Sequence, residues 1–83
     1  MSYEVYMLPK AKKKLDKFPD SHRIKQKLEE LENFPNVRNV VRISENIYRM
    51  RIGDYRALFK VYEETSVIVV VNVDVRGRIY KGL

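Results

Sequence analysis

The sequence predicts an α+β fold: an N-terminal strand, a helical hairpin, then a four-stranded antiparallel meander, with the helices packed on one sheet face. Three observations point there. Apolar residues recur at helical spacing between Pro9 and Leu31, and they alternate at strand spacing from Arg38 to Val75. The breaker Asn33-Phe34-Pro35-Asn36 separates the two regimes.

Residues 2–7, SYEVYM, alternate well enough for a first strand, which Leu8-Pro9 ends. Proline is at home in the first turn of a helix. Ala11, Leu15 and Phe18 then recur at i, i+4 and i+7, with Lys12, Lys13, Lys14 and Lys17 around them, which reads as a short amphipathic helix with a solvated lysine face. Pro19-Asp20-Ser21 breaks it and supplies N-capping residues. Ile24, Leu28 and Leu31 carry a second helix, and the two stripes suit an antiparallel pair laid on a sheet. Strands follow at about 38–43, 47–52, 55–62 and 67–75, with turns at Glu45-Asn46, Gly53-Asp54 and Glu63-Glu64-Thr65-Ser66. Gly53 opening a two-residue loop suits a type II′ turn, which pairs Ile52 with Tyr55 and sets Arg51 directly opposite Arg56. Without repeats or linkers, the 83 residues are expected to form one domain, residues 1–83. A chain this short has a small core, to which a partner adds stability.

Composition narrows the chemistry. The chain has no cysteine, so disulfides, thiolate metal sites and a cysteine nucleophile are excluded. His22 is its only histidine and no carboxylates fall at ligand spacing, so neither a metal nor a cofactor is expected. His22 itself is read as a surface or capping residue. The start, MSYEVYMLPK, lacks the basic and apolar regions of a secretory signal, and the apolar run Val67–Val71 is too short to span a bilayer. A soluble cytoplasmic domain away from membranes is the expectation. The net charge of +6 points to a polyanionic partner. Lysine dominates residues 10–27, whereas Arg38, Arg42, Arg49, Arg51, Arg56, Arg76 and Arg78 mark the second half. Arginine's planar fork grips phosphate in a fixed orientation, so the oriented chemistry is expected there.

Alternation separates the faces of the sheet. Tyr48, Met50, Ile52, Tyr55, Ala57, Phe59 and Val61 form an apolar face, and the odd-numbered valines from Val67 to Val75 are expected with them. The opposite face collects Arg49, Arg51, Arg56, Lys60, Asn72, Asp74 and Arg76. A four-residue loop at 63–66 would turn Asn72 and Asp74 into the core. A loop one residue longer or shorter is therefore expected, bringing Arg56 beside Asp74. Asp74 is then a local partner for Arg56 or Arg76, and Tyr3, Tyr6, Tyr48 and Tyr55 pack in or around the core. A polar, wet face is common in antiparallel sheets. Here Arg51 and Arg56 converge without interleaved acids, and Arg76, Arg78 and Tyr80 of the C-terminal RGRIYKGL cluster just beyond the last strand, which favours a phosphate-binding surface.

The stretch YRMRIGDYRALFKV, followed by a valine-rich strand and RGRIY, resembles the RelE/ParE superfamily of toxin–antitoxin toxins over nearly the whole chain. The resemblance implies, for the nuclease branch, a ribosome-dependent endoribonuclease that cleaves messenger RNA in the A site and inhibits translation. It also implies a RelB-like antitoxin that wraps the toxin in a hetero-oligomer. The family's basic positions before the turn fall on Arg49 and Arg51, its arginine after the turn on Arg56, its arginine ending the last strand on Arg76, and its C-terminal tyrosine on Tyr80. These are the implied catalytic residues; Lys60, Arg78 and Lys81 are the expected additional RNA contacts. Well-studied members carry lysine where this chain has Arg49 and Arg51, and the Arg76 to Tyr80 spacing is shorter than in some of them.

The chemistry works without histidine or metal, because RNA carries its own nucleophile in the 2′-hydroxyl. Arginines supply electrostatic stabilisation, and Tyr80 stacks on a base or contacts the 2′-hydroxyl. Arginine rarely releases its proton, which leaves Tyr80, its pKa lowered by neighbouring arginines, and the ribosome's own groups as candidate bases. Two rival functions remain: a ParE-like toxin that binds DNA gyrase, and a non-catalytic RNA-binding protein.

Overall fold

The structure, a computed structural model, describes residues 2–78. The elements run β1 (Glu4–Met7), α1 (Pro9–Leu15), α2 (Ser21–Glu29), a 3₁₀ turn (Glu30–Asn33), β2 (Val40–Ser44), β3 (Ile47–Ile52), β4 (Tyr55–Tyr62) and β5 (Val67–Val75). The five strands form one sheet in the order β1-β5-β4-β3-β2. Strands β2 to β5 make the expected antiparallel meander, and β1 joins β5 in parallel, so the sheet is mixed.

The two helical stripes do what their spacing predicts. Ala11 and Leu15 from α1, Ile24 and Leu28 from α2, and Leu31 from the 3₁₀ turn are all buried. Leu15, Ile24, Leu28 and Leu31 meet Met50, Ile52, Ala57, Phe59, Val61, Ile68, Val70 and Val73 from one sheet face. Each fully buried large aliphatic or aromatic side chain contributes about 1.5–3 kcal/mol, and this core carries the stability of a small chain. Pro9 stands in the first turn of α1. Asp20 occupies the N-cap of α2 without a side-chain cap bond, its carboxylate lying 3.7 Å from Arg23 instead. Tyr3, Tyr48 and Tyr55 join the aromatic packing, with Phe34 between Tyr3 and Tyr48 and Phe18 against Tyr55. Tyr6 does not: it is 53% exposed on the sheet's outer face, donating its hydroxyl to Glu4.

Strand β5 corrects the expected register. Tyr62 pairs with Val67, so the loop has four residues, the length set aside as turning polar residues inward. A β-bulge resolves the conflict. Phe59 pairs with Val70 and Leu58 with Asn72, leaving Val71 as the extra residue. The phase flips there: Ile68 and Val70 face the core below the bulge, Val73 and Val75 above it. Of the odd-numbered valines, Val73 is fully buried and Val75 packs on the core, while Val67, Val69 and Val71 are only half-buried. Beyond the bulge, Asn72 and Asp74 are returned to the outer face beside Leu58 and Arg56.

No helix among the described residues is long and apolar enough to cross a membrane.

Candidate phosphate-binding cleft

The hairpin β3–β4 builds the site. Gly53 sits at φ 59° while Asp54 keeps an ordinary negative φ, as a type II′ turn requires. The turn fixes Ile52 opposite Tyr55 and Arg51 opposite Arg56, on the face away from the helices. Like charges so placed repel, typically by a few tenths of a kcal/mol or more. The two guanidinium groups are drawn to different acceptors. Arg56 Nη1 donates to the carbonyls of Gly53 (2.9 Å) and Tyr55 (2.8 Å), whereas Arg51 Nη2 donates to Asn39 Oδ1 (3.4 Å). A guanidinium has five N–H donors, so Arg56 is anchored with donors to spare.

Arg76 arrives from the end of β5. Its backbone N–H donates to the Asp54 carbonyl at 3.0 Å, tying the chain beyond β5 to the hairpin tip. Gly77 then turns at φ 95°. Asn39, from the loop before β2, adopts a left-handed φ of 63°, and its carbonyl accepts the Arg51 N–H at 2.9 Å. Together Arg49, Arg51, Arg56 and Arg76, with Asn39, Val41 and Gly77, line one open cleft of about 660 Å³. Four arginines around one cleft, with no carboxylate among the described residues of its lining, give it a positive character suited to an anion.

Asp74 organises the rim. It is the only buried charged residue among those described. In register it faces Arg56, yet its carboxylate pairs elsewhere. β1 covers the edge of β5 only as far as Val70, and α1 lies along the rest. Lys14 reaches past that edge to Asp74 Oδ2 (2.9 Å) and Asn72 Oδ1 (3.2 Å). Arg78 Nη2 lies 3.3 Å from Asp74 Oδ1, which also accepts the Val75 N–H at 2.7 Å. Burial alone would push the Asp74 carboxyl up. The hydrogen bonds from Lys14 and Val75 and the positive charges of Lys14 and Arg78 outweigh it, and its pKa lies below the ordinary value of 3.8. Asp74 therefore holds Lys14 and Arg78, not Arg56 or Arg76 as the sequence suggested.

Four of the expected site residues, Arg49, Arg51, Arg56 and Arg76, come together. Arg78 is committed to Asp74 and stays out of the cleft lining. Lys60 shares the outer face but pairs with Ile47 and Val69, further along the sheet. Tyr80 and Lys81 lie outside the described residues. His22 is exposed on α2, away from the cleft. Among the described residues no three histidine, aspartate or glutamate side chains converge to hold a metal. Sequence reasoning missed Asn39, Val41 and Gly77, which line the cleft, and Lys14, which braces it.

The sequence profile of the ParE toxin of type II toxin–antitoxin systems, parDE, matches residues 5–80. This chain belongs to the RelE/ParE superfamily of toxins of type II toxin–antitoxin systems. Its fold is that of RelE in the archaeal RelE–RelB complex from Pyrococcus horikoshii, with a TM-score of 0.81 and 30% identity over 94% of this chain and 99% of that one. RelE of the RelB–RelE antitoxin–toxin complex from Methanococcus jannaschii is similar, with a TM-score of 0.72 and 29% identity over 90% and 94% of the two chains. The isolated Escherichia coli RelE toxin shares the fold, with a TM-score of 0.73 and 24% identity over 95% and 92%. No curated protein sequence matches the chain. As in those proteins, the toxin is of the RelE type.

Proposed function

We propose that the chain is a ribosome-dependent endoribonuclease that cleaves messenger RNA in the ribosomal A site and so inhibits translation in the cytoplasm. The observation that carries this reading is the single cleft lined by Arg49, Arg51, Arg56 and Arg76. In the reaction the 2′-oxygen of the substrate attacks the adjacent phosphorus, the 5′-oxygen of the next nucleotide leaves, and a 2′,3′-cyclic phosphate forms. A base takes the proton of the 2′-hydroxyl and an acid supplies one to the leaving oxygen. Arg56 and Arg76 hold the scissile phosphate and stabilise the charge that builds on its oxygens. Arg49 and Arg51 hold the strand beside it. Tyr80 positions the reacting nucleotide.

A RelB-like antitoxin is the proposed partner, since the Pyrococcus, Mycobacterium tuberculosis and Methanococcus relatives are all described in complex with RelB-type antitoxins. An antitoxin neutralises this cleft by presenting carboxylates to it or by displacing Tyr80. The ParE profile match favours a second reading, a toxin that binds DNA gyrase. Induction followed by primer extension on translated messages separates the two. The nuclease reading expects new 5′ ends within translated codons and unchanged gyrase supercoiling. Intact messages with inhibited supercoiling would overturn it.

A further inference from the structure

Behind the hairpin tip lies a second basic cavity, of about 280 Å³, on the helix side of β3. Arg23 and Lys27 line it from α2, Arg38 from the loop before β2, and residues 50–52 from β3, with Glu30 the one carboxylate among the described residues of its lining. Asn39 and Arg51 line both this cavity and the arginine cleft, so the two are neighbours sharing a wall. That wall is fixed by the two hydrogen bonds between Asn39 and Arg51. Gly53 brings the α2 side close: a Cβ there would stand 3.0 Å from Arg23 Nη2. The glycine turn is thus flanked by the Arg23 guanidinium on one side and that of Arg56 on the other.

The acidic partners of these cations are replaceable. Arg23–Asp20 at 3.7 Å and Lys27–Glu30 at 3.4 Å are solvent-exposed pairs within one helical stretch, of the kind that contributes little to stability. A phosphate competes readily for such groups and gains from several at once.

Resting on the nuclease reading, we infer that this cavity is a second phosphate subsite for the same single-stranded RNA that occupies the cleft. The strand crosses the Asn39–Arg51 wall, and Arg23 and Arg38 hold a phosphodiester adjoining the scissile region. Arg51 borders both subsites. The pocket lengthens the footprint on the strand and plays no part in bond cleavage.

The test uses the purified chain and fluorescently labelled 2′-O-methyl oligoribonucleotides of two lengths, three and eight nucleotides, which lack the nucleophile. Binding is followed by anisotropy across salt concentrations. Arg23 and Arg38 are both exposed, so Arg23→Ala/Arg38→Ala should retain the fold. Neutralised phosphates on a single strand each contribute about 0.7 to the salt slope. The double variant should therefore lower the eight-nucleotide slope by about 1.4 and weaken that binding roughly 10–30-fold at 0.1 M salt, leaving the three-nucleotide probe unchanged. Lys10→Ala/Lys13→Ala, which removes the same charge from exposed positions on α1, should have a much smaller effect. Equal eight-nucleotide binding by wild type and the Arg23/Arg38 variant would overturn the pocket alone. With vacant ribosomes titrated in parallel, a loss seen with them and not with the eight-nucleotide probe would also overturn the pocket, by assigning these arginines to ribosomal RNA. Failure of the wild type to bind the eight-nucleotide probe more tightly than the three-nucleotide probe would overturn the pocket, whereas the nuclease reading stands or falls separately, on cleavage of messenger RNA on programmed ribosomes.

Discussion

Replacing Asp74 by asparagine should loosen the junction that carries Arg76 to the cleft. The asparagine oxygen can still accept the Val75 N–H, so the perturbation removes the charge facing Lys14 at 2.9 Å and Arg78 at 3.3 Å. Both cations are about half exposed, at 43% and 59%, so the cost falls below that of a fully buried pair. Two contacts at about 0.5–1.5 kcal/mol each give roughly 1–3 kcal/mol at neutral pH. For a chain of this size, 1 kcal/mol moves the melting temperature by about 4–8 °C, so thermal unfolding resolves the effect. The Asp74 carboxyl titrates below 3.8 in the folded chain. Its contribution is therefore complete above the unfolded-state value and disappears as pH falls through the folded-state value. The gap between wild type and Asp74→Asn should be full at pH 7, narrow once the pH falls below the ordinary carboxylate value, and close below the folded-state value. Identical melting at pH 7, or a gap unchanged at the lowest pH at which both proteins fold, would refute the role given to this carboxylate.

The bulge makes a paired prediction: Val73→Asp buries an unpaired charge and should abolish cooperative unfolding, while Val71→Asp, at the half-buried extra residue, should leave a folded chain by circular dichroism. Gly53→Ala forces a side chain to φ 59° and against Arg23, and should destabilise by about 1–2 kcal/mol in urea titration. A co-expressed antitoxin should place acidic side chains on Arg49, Arg51, Arg56 or Arg76, or displace Tyr80; a complex structure with neither feature would leave only steric exclusion from the ribosome as its mode of inhibition.

Much of this was written locally in the chain. β3, β4 and β5 begin and end where their turn residues place them, and the positions of Leu15, Ile24, Leu28 and Leu31 in the core follow from helical spacing alone. Arg49, Arg51 and Arg56 share a face because strand alternation and a two-residue loop leave no other arrangement. Val67–Val71 was illegible for the opposite reason. Every residue there is valine or isoleucine, so either face can be the inner one, and nothing marks a bulge until Asn72. Distance in sequence hid the rest. Lys14 meets Asp74 because β1 stops short on β5, and Asn39 reaches the cleft through a left-handed loop conformation that no periodicity announces.

RNA cleavage at the arginine cleft is the step on which the proposed function stands. Single-turnover cleavage of messenger RNA on programmed ribosomes, comparing wild type with Arg56→Ala and Arg76→Ala, tests it most directly. Each variant should cut about 10²–10³-fold more slowly, the cost of losing one preorganised donor, while ribosome binding falls far less because the other basic groups remain. Wild-type cleavage rates in both variants would contradict the account and leave the cleft as an ordinary solvated sheet face.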